Sequence, residues 1–178
     1  KKVSIKNKNY FFVPSRTSNL KGHHLLLEYF AQLPKKYKEK YKLLFISSHS
    51  SNDEAKIDKI IEKNNLNKNI ELIKPTLNIK KLYELSSLVI SISIRPEGFG
   101  RIVSEALSMS CPVIAPNMGG TKEQLKKFNS KLLFDINSFE SFFKAMEYAL
   151  NNHKEVSINA RKFVKEHYSA ELMCKKTL

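Results

Sequence analysis

Two carboxylates and two glycine-bearing turns are the residues whose types and spacing could do chemistry in this chain. Between Arg95 and Glu123 it reads RPEGFGRIVSEALSMSCPVIAPNMGGTKE. The stretch begins where the apolar run Leu88 to Ile94 stops, and the order strand, glycine-containing turn, helix builds an anion site in α/β proteins. Pro96 stops the strand, while Gly98 and Gly100 let the backbone turn tightly and approach a ligand. From Arg101 the apolar positions Ile102, Val103, Ala106 and Leu107 fall at helical spacing, so the first turn presents unpaired N–H groups beyond the strand end. Asn117-Met-Gly-Gly120 is a second strand-to-helix turn, in which Gly119 and Gly120 permit close approach to sugar or phosphate. Glu97 sits in the first turn, and Glu105 falls on roughly the same side of the helix at about 100° per residue. A carboxylate beside an anion site repels phosphate, so its work is to accept hydrogen bonds from sugar or ribose hydroxyls. Together these features suggest a sugar nucleotide.

The elements that must position these residues alternate as a parallel sheet requires. Short apolar runs suited to buried strands occur at 10–13, closed by Pro14, and at 42–47, 69–73, 88–94, 112–115 and 131–134. Helical periodicity predicts helices over 23–32, 53–64, 79–86, 101 to about 110, a stretch after Gly120, 138–151 and 155–167. Ser18 or Asn19 is placed to cap the first helix. Phe139, Phe142, Phe143, Met146 and Leu150 share one helical face and read as core rather than as ligand stackers. Ser169 to Leu178 reads as the start of a terminal helix.

Composition bounds the function classes. A chain of 178 residues is one ordinary domain with a real core. Its net charge is +14, but Arg16, Arg95, Arg101 and Arg161 are the only arginines. A lysine surplus spread over many helices reads as a solvated surface rather than a nucleic-acid footprint, which favours arginine, a basic stripe and interleaved aromatics. Attraction to an anionic membrane surface or a polyanionic acceptor fits better. Cys111 and Cys174 are too few for a disulfide framework. No stretch approaches bilayer-spanning length, and the lysine-rich start lacks a signal-type apolar segment. A cytoplasmic protein resting peripherally on the inner membrane face is the expectation, with a targeting segment removed upstream left open. Neither an Asp-x-Asp pair nor clustered His and Cys ligands occurs, and adjacent His23 and His24 diverge on a helix, so no metal site is expected. Gly98-Phe-Gly100 lacks the third glycine of a dinucleotide fingerprint, and no Walker-type Gly-Lys-Ser/Thr is present.

Glu97-Gly-Phe-Gly100 with Glu105-Ala106, Cys111-Pro-Val-Ile114 and Gly119-Gly120-Thr-Lys-Glu123 resembles the donor-binding signature of the large retaining glycosyltransferase family usually called family four. Glu97 and Glu105 meet its Glu-x7-Glu spacing. The resemblance covers nearly all of the chain but only the second of the family's two lobes. It implies a Rossmann-like three-layer α/β/α domain with a parallel sheet, one lobe of a GT-B fold. Residues 1–178 are then the nucleotide-sugar lobe, an excised half whose acceptor-binding N-terminal lobe is absent. In the family the first Glu contacts the transferred sugar and the second the nucleotide ribose. The backbone between them, here Gly98, Phe99, Gly100, Arg101 and Ile102, holds sugar hydroxyls and the diphosphate.

The resemblance extends to the loop after the first strand. Arg16 and Lys21-Gly22 keep the spacing of the family's Gly-Arg and Lys-Gly, although Ser15 replaces the glycine. There the Arg and Lys bind the donor diphosphate. Cleavage at the anomeric carbon leaves negative charge on the terminal phosphate, and fixed cations stabilise it as it develops. Arg grips two oxygens and Lys acts as a point charge. Lys74 stands where a glycine is common in the loop against the nucleotide base. His49 follows the second strand on the ligand side but reads as exposed. Glu123 either caps a helix or serves the site, and Ser110 stands for a customary glycine. The implied activity is metal-independent, cofactor-free, retaining transfer of a hexose-type sugar from a UDP- or GDP-sugar to a glycan or lipid-linked acceptor, in polysaccharide biosynthesis. The isolated lobe is expected to turn over weakly. A non-catalytic nucleotide-sugar-binding or scaffold module of the same fold is the alternative, and a nucleic-acid binder the third reading.

Overall fold

The structure is a computed structural model that describes residues 9–47, 51–76 and 78–169. Six strands form a parallel sheet: β1 (Tyr10–Arg16), β2 (Lys42–Ile46), β3 (Ile70–Ile73), β4 (Leu88–Ile90), β5 (Val113–Pro116) and β6 (Leu133–Phe134). The helices are α1 (His23–Gln32), α2 (Lys35–Lys40), α3 (Ser51–Lys63), α4 (Ile79–Leu85), α5 (Arg101–Ser108), α6 (Gly119–Phe128), α7 (Phe139–Asn151) and α8 (His153–Tyr168). The central strands are apolar without alternation: Phe11, Phe12 and Val13 of β1 and Leu88, Val89 and Ile90 of β4 are all fully buried. A sheet covered by helices on both faces requires such runs, and the expected Rossmann-like α/β/α architecture is what the chain adopts. No described helix is long and apolar enough to cross a membrane.

The strand order is β3-β2-β1-β4-β5-β6. The order in which strands are added reverses between β1 and β4, the switch point outside whose carboxyl ends open α/β sheets bind ligands. The loop after β1 carries Lys21, and the loop after β4 carries Glu97. Topology alone therefore brings together residues 76 positions apart.

Several boundaries differ from the sequence expectation for identifiable reasons. Pro14 does not close β1, which continues to Arg16 through a register shift between Val13 and Arg16. An irregular ladder is where a residue without an N–H is tolerated. β4 ends at Ile90 rather than Ile94, because the chain beyond it turns to the β1 loop: Ile94 N donates to Leu20 O at 3.2 Å. Neither Ser18 nor Asn19 caps α1. A 3-10 turn at Asn19–Lys21 intervenes, and the helix starts from Gly22 with no side-chain cap. α2, lysine-rich with no buried residue, has no apolar face and so left no periodicity to read. His49, Cys174 and the expected terminal helix beyond Ser169 lie outside the described residues.

Candidate functional site

Lys21 is the last residue of the 3-10 turn after β1, and its backbone N–H donates to Ser18 O at 3.2 Å. Gly22 then takes a left-handed conformation, φ 68°, against the β4 loop, where a Cβ would lie 2.0 Å from Ile92 O. No residue but glycine fits, and this packing aims Lys21 along the sheet edge. Its ammonium donates to Glu97 Oε1 in an ion pair, with the lysine side chain 40% and the glutamate 18% exposed. The two residues expected to face phosphate and sugar are thus in direct contact.

Glu97 is held from below by α6. Gly120 N donates to Glu97 O at 2.8 Å, and a Cβ at Gly120 would come within 2.6 Å of Gly98 O. Backbone packs on backbone here, which accounts for the Gly-Gly pair. Gly119 is left-handed at φ 53° and equally close to Glu97 O. Gln124, buried on α6, donates through Nε2 to Phe99 O and also lies 3.3 Å from Gly100 O. Gly98 is neither left-handed nor crowded, since a Cβ there would meet nothing within 4 Å. The chain does bend at Gly98 and Phe99, but that bend does not require a glycine; the left-handed residue is Gly100, φ 74°, the N-cap of α5.

With no side-chain cap on α5, the N–H groups of Arg101 and Ile102 have no hydrogen-bond partner among the described residues. Free N–H groups at a helix N-terminus carry partial positive charge and are able to accept an anion. Arg101 is exposed and Ile102 half-buried. Glu105, one turn further along α5, accepts a hydrogen bond from Tyr83 Oη at 2.7 Å.

The remaining candidates take distinct places. Arg16 is exposed at the end of β1, and Ser15 beside it is half-buried. The ring of Phe99 meets Tyr168 of α8 edge-on, 5.6 Å between centroids. Lys74 follows the edge strand β3, with β2 and β1 between it and β4, and is exposed. Glu123 is exposed and its carboxylate makes no hydrogen bond among the described residues. It does not cap α6, whose N-cap is Met118. His23 and His24 do diverge: His23 is fully buried against Phe45, while His24 lines a shallow pocket with Leu20, Ile60 and Ile94. Among the described residues no three His, Cys, Asp or Glu side chains come together as metal ligands.

Sequence reasoning passed over Tyr83 and Gln124. A tyrosine on the buried face of α4 was a usable signal, because a buried phenol needs an acceptor. Gln124 gave none, since its partners are main-chain carbonyls far away in sequence.

Solved structures that resemble this chain include glycosyltransferases. The glycosyltransferase from Rickettsia africae ESF-5 superposes with a TM-score of 0.84 at 28% identity, over 96% of this chain and 46% of that one. S. aureus TarM, in a structure with fondaparinux, alpha-GlcNAc-glycerol and UDP, gives 0.82 at 27%, over 95% of this chain and 34% of that one. The C-terminal domain of the group 1 protein LpcC from Francisella tularensis gives 0.77 at 20%, over 92% and 88%. The chain spans about half the length of the Rickettsia enzyme, and no curated protein matches it. Residues 1–167 match the family described as "Glycosyl transferases group 1", and the chain belongs to that family of GT-B glycosyltransferases.

Proposed function

We propose that this domain binds the nucleotide-diphosphate sugar for a retaining, metal-independent transfer of a hexose-type sugar to a glycan or lipid-linked acceptor. The observation that carries the reading is the Lys21–Glu97 pair beside the free N–H groups of Arg101 and Ile102. A cation and two N–H donors match the diphosphate, and a carboxylate in the same pocket matches the sugar hydroxyls. In this reading Lys21, Arg16 and the α5 N-terminus take the diphosphate, Glu97 orients the sugar, and Glu105 accepts from the ribose. As the anomeric bond breaks, charge accumulates on the terminal phosphate, where the cations and N–H groups already stand. Retention follows a front-face path in which the departing phosphate helps to deprotonate the acceptor. Groups that hold the acceptor belong to a partner lobe, and the UDP in the TarM structure makes a uridine donor the first to try. A net charge of +14 favours acceptors presented at an anionic surface.

Calorimetric titration with UDP and GDP, repeated on Arg16→Ala and Lys21→Ala, tests the phosphate seat. Each substitution weakens the bound nucleotide about tenfold to a hundredfold, as expected for a charge-assisted hydrogen bond. Unchanged affinity in both removes the seat. Incubating the full-length protein with UDP- and GDP-sugars and lipid-linked or glycan acceptors, read by mass spectrometry, tests the transfer. Binding without any product identifies a scaffold module instead.

A further inference from the structure

Glu105 is exposed, yet one of its oxygens is committed. Tyr83 Oη donates to Oε2 at 2.7 Å, and Oε1 has no partner among the described residues. Tyr83 belongs to α4, is 2% exposed, and lies edge-on to Phe12 of β1 with centroids 5.3 Å apart. A ring locked in that way offers its hydroxyl in one direction only. Burial, then the bond to Glu105 and that carboxylate's charge, push the phenol well above its ordinary value, with Arg101 opposing them. The hydroxyl therefore keeps its proton and donates across the working pH range.

A carboxylate in water has two equivalent oxygens and a freely turning chain. Here one oxygen is held by a buried phenol, so the turning of the carboxylate is restricted and the other oxygen is left to face a ligand. We propose that Tyr83 is a positioning residue for donor recognition: by holding Glu105 Oε2 it presents Oε1 as the single acceptor for the ribose hydroxyls of a nucleoside diphosphate. The preference for a ribonucleotide over an analogue lacking those hydroxyls is then set by α4 as much as by α5. This rests on the reading of Glu105 as the ribose acceptor.

The test compares two affinities within each variant, so that any loss of folded protein cancels. Calorimetric titration uses UDP and dideoxy-UDP, which lacks both ribose hydroxyls, with the matching guanosine pair in parallel. The wild-type protein prefers the ribonucleotide. Tyr83→Phe lowers that preference about tenfold and leaves the dideoxy affinity unchanged. Glu105→Ala abolishes the preference, and adding Tyr83→Phe to it changes nothing more, as one shared interaction requires. If Glu105→Ala abolishes the preference and Tyr83→Phe does not alter it, the role of Tyr83 is overturned and the ribose reading stands. If Tyr83→Phe weakens both ligands equally, the tyrosine is merely structural and the inference again falls. A preference that survives Glu105→Ala overturns the ribose role and this inference with it, leaving the phosphate seat intact. No binding of either ribonucleotide overturns both.

Discussion

Ser110 follows α5 in a left-handed conformation, φ 54°, donating its N–H to Leu107 O at 3.0 Å. A Cβ in that region costs about 1 kcal/mol, and glycine escapes the cost. Ser110→Gly is therefore expected to stabilise the protein by about 1 kcal/mol, read as a raised denaturant midpoint with an unchanged slope. The customary glycine noted at this position from the family resemblance has this physical cause. Other residue-level facts were less legible. The carboxylates and glycines of the β4 and β5 turns stand out because their chemistry is local in sequence. That Lys21 meets Glu97, that Tyr83 meets Glu105 and that Gln124 meets Phe99 are products of topology, which no spacing rule encodes.

Elements place the site by contacts between main chains. Gly120 of α6 rests directly on the carbonyl of Gly98, so Gly120→Ala must push the Glu97 turn away from α6. A loss of about 1–3 kcal/mol in stability is expected from the overpacking, together with weakened nucleotide binding. Thermal unfolding and titration of the same sample check both, and wild-type values in each would show that the turn tolerates the shift. Gly22→Ala is more severe, since it combines a left-handed φ with an oxygen 2.0 Å away; a loss of about 3 kcal/mol or more is expected. Strands and the long amphipathic helices were legible because burial writes periodicity into sequence. The ends of β1 and β4 were not, because there the chain leaves the sheet to satisfy loop partners.

At the scale of the molecule, one buried group links stability to pH. His23 opens α1 inside the core, and burial pushes its imidazole from 6.5 down to about 4. The carbonyls of Ser18 and Ser15 oppose that shift, while the charges on His24 and Lys21 add to it. Its folded value is depressed, so between pH 6.5 and 4 the unfolded chain binds a proton that the folded chain refuses. Stability is whole above that window and declines through it by about 3 kcal/mol as pH falls. His23→Leu removes this share of the acid sensitivity, leaving that of the carboxylates. Parallel denaturation curves for variant and wild type across pH 4 to 7.5 would contradict it. The family and the parallel sheet were readable from the sequence, whereas the strand order that juxtaposes β1 and β4 becomes visible only in three dimensions.

The bond from Ile94 to Leu20 and the seat of Gly22 on Ile92 have a bearing on engineering. The connections after β1 and β4 are each shaped in part by the other. A chimera that imports one from a relative to alter donor choice inherits a mismatched counterpart; the transplantable unit is the pair.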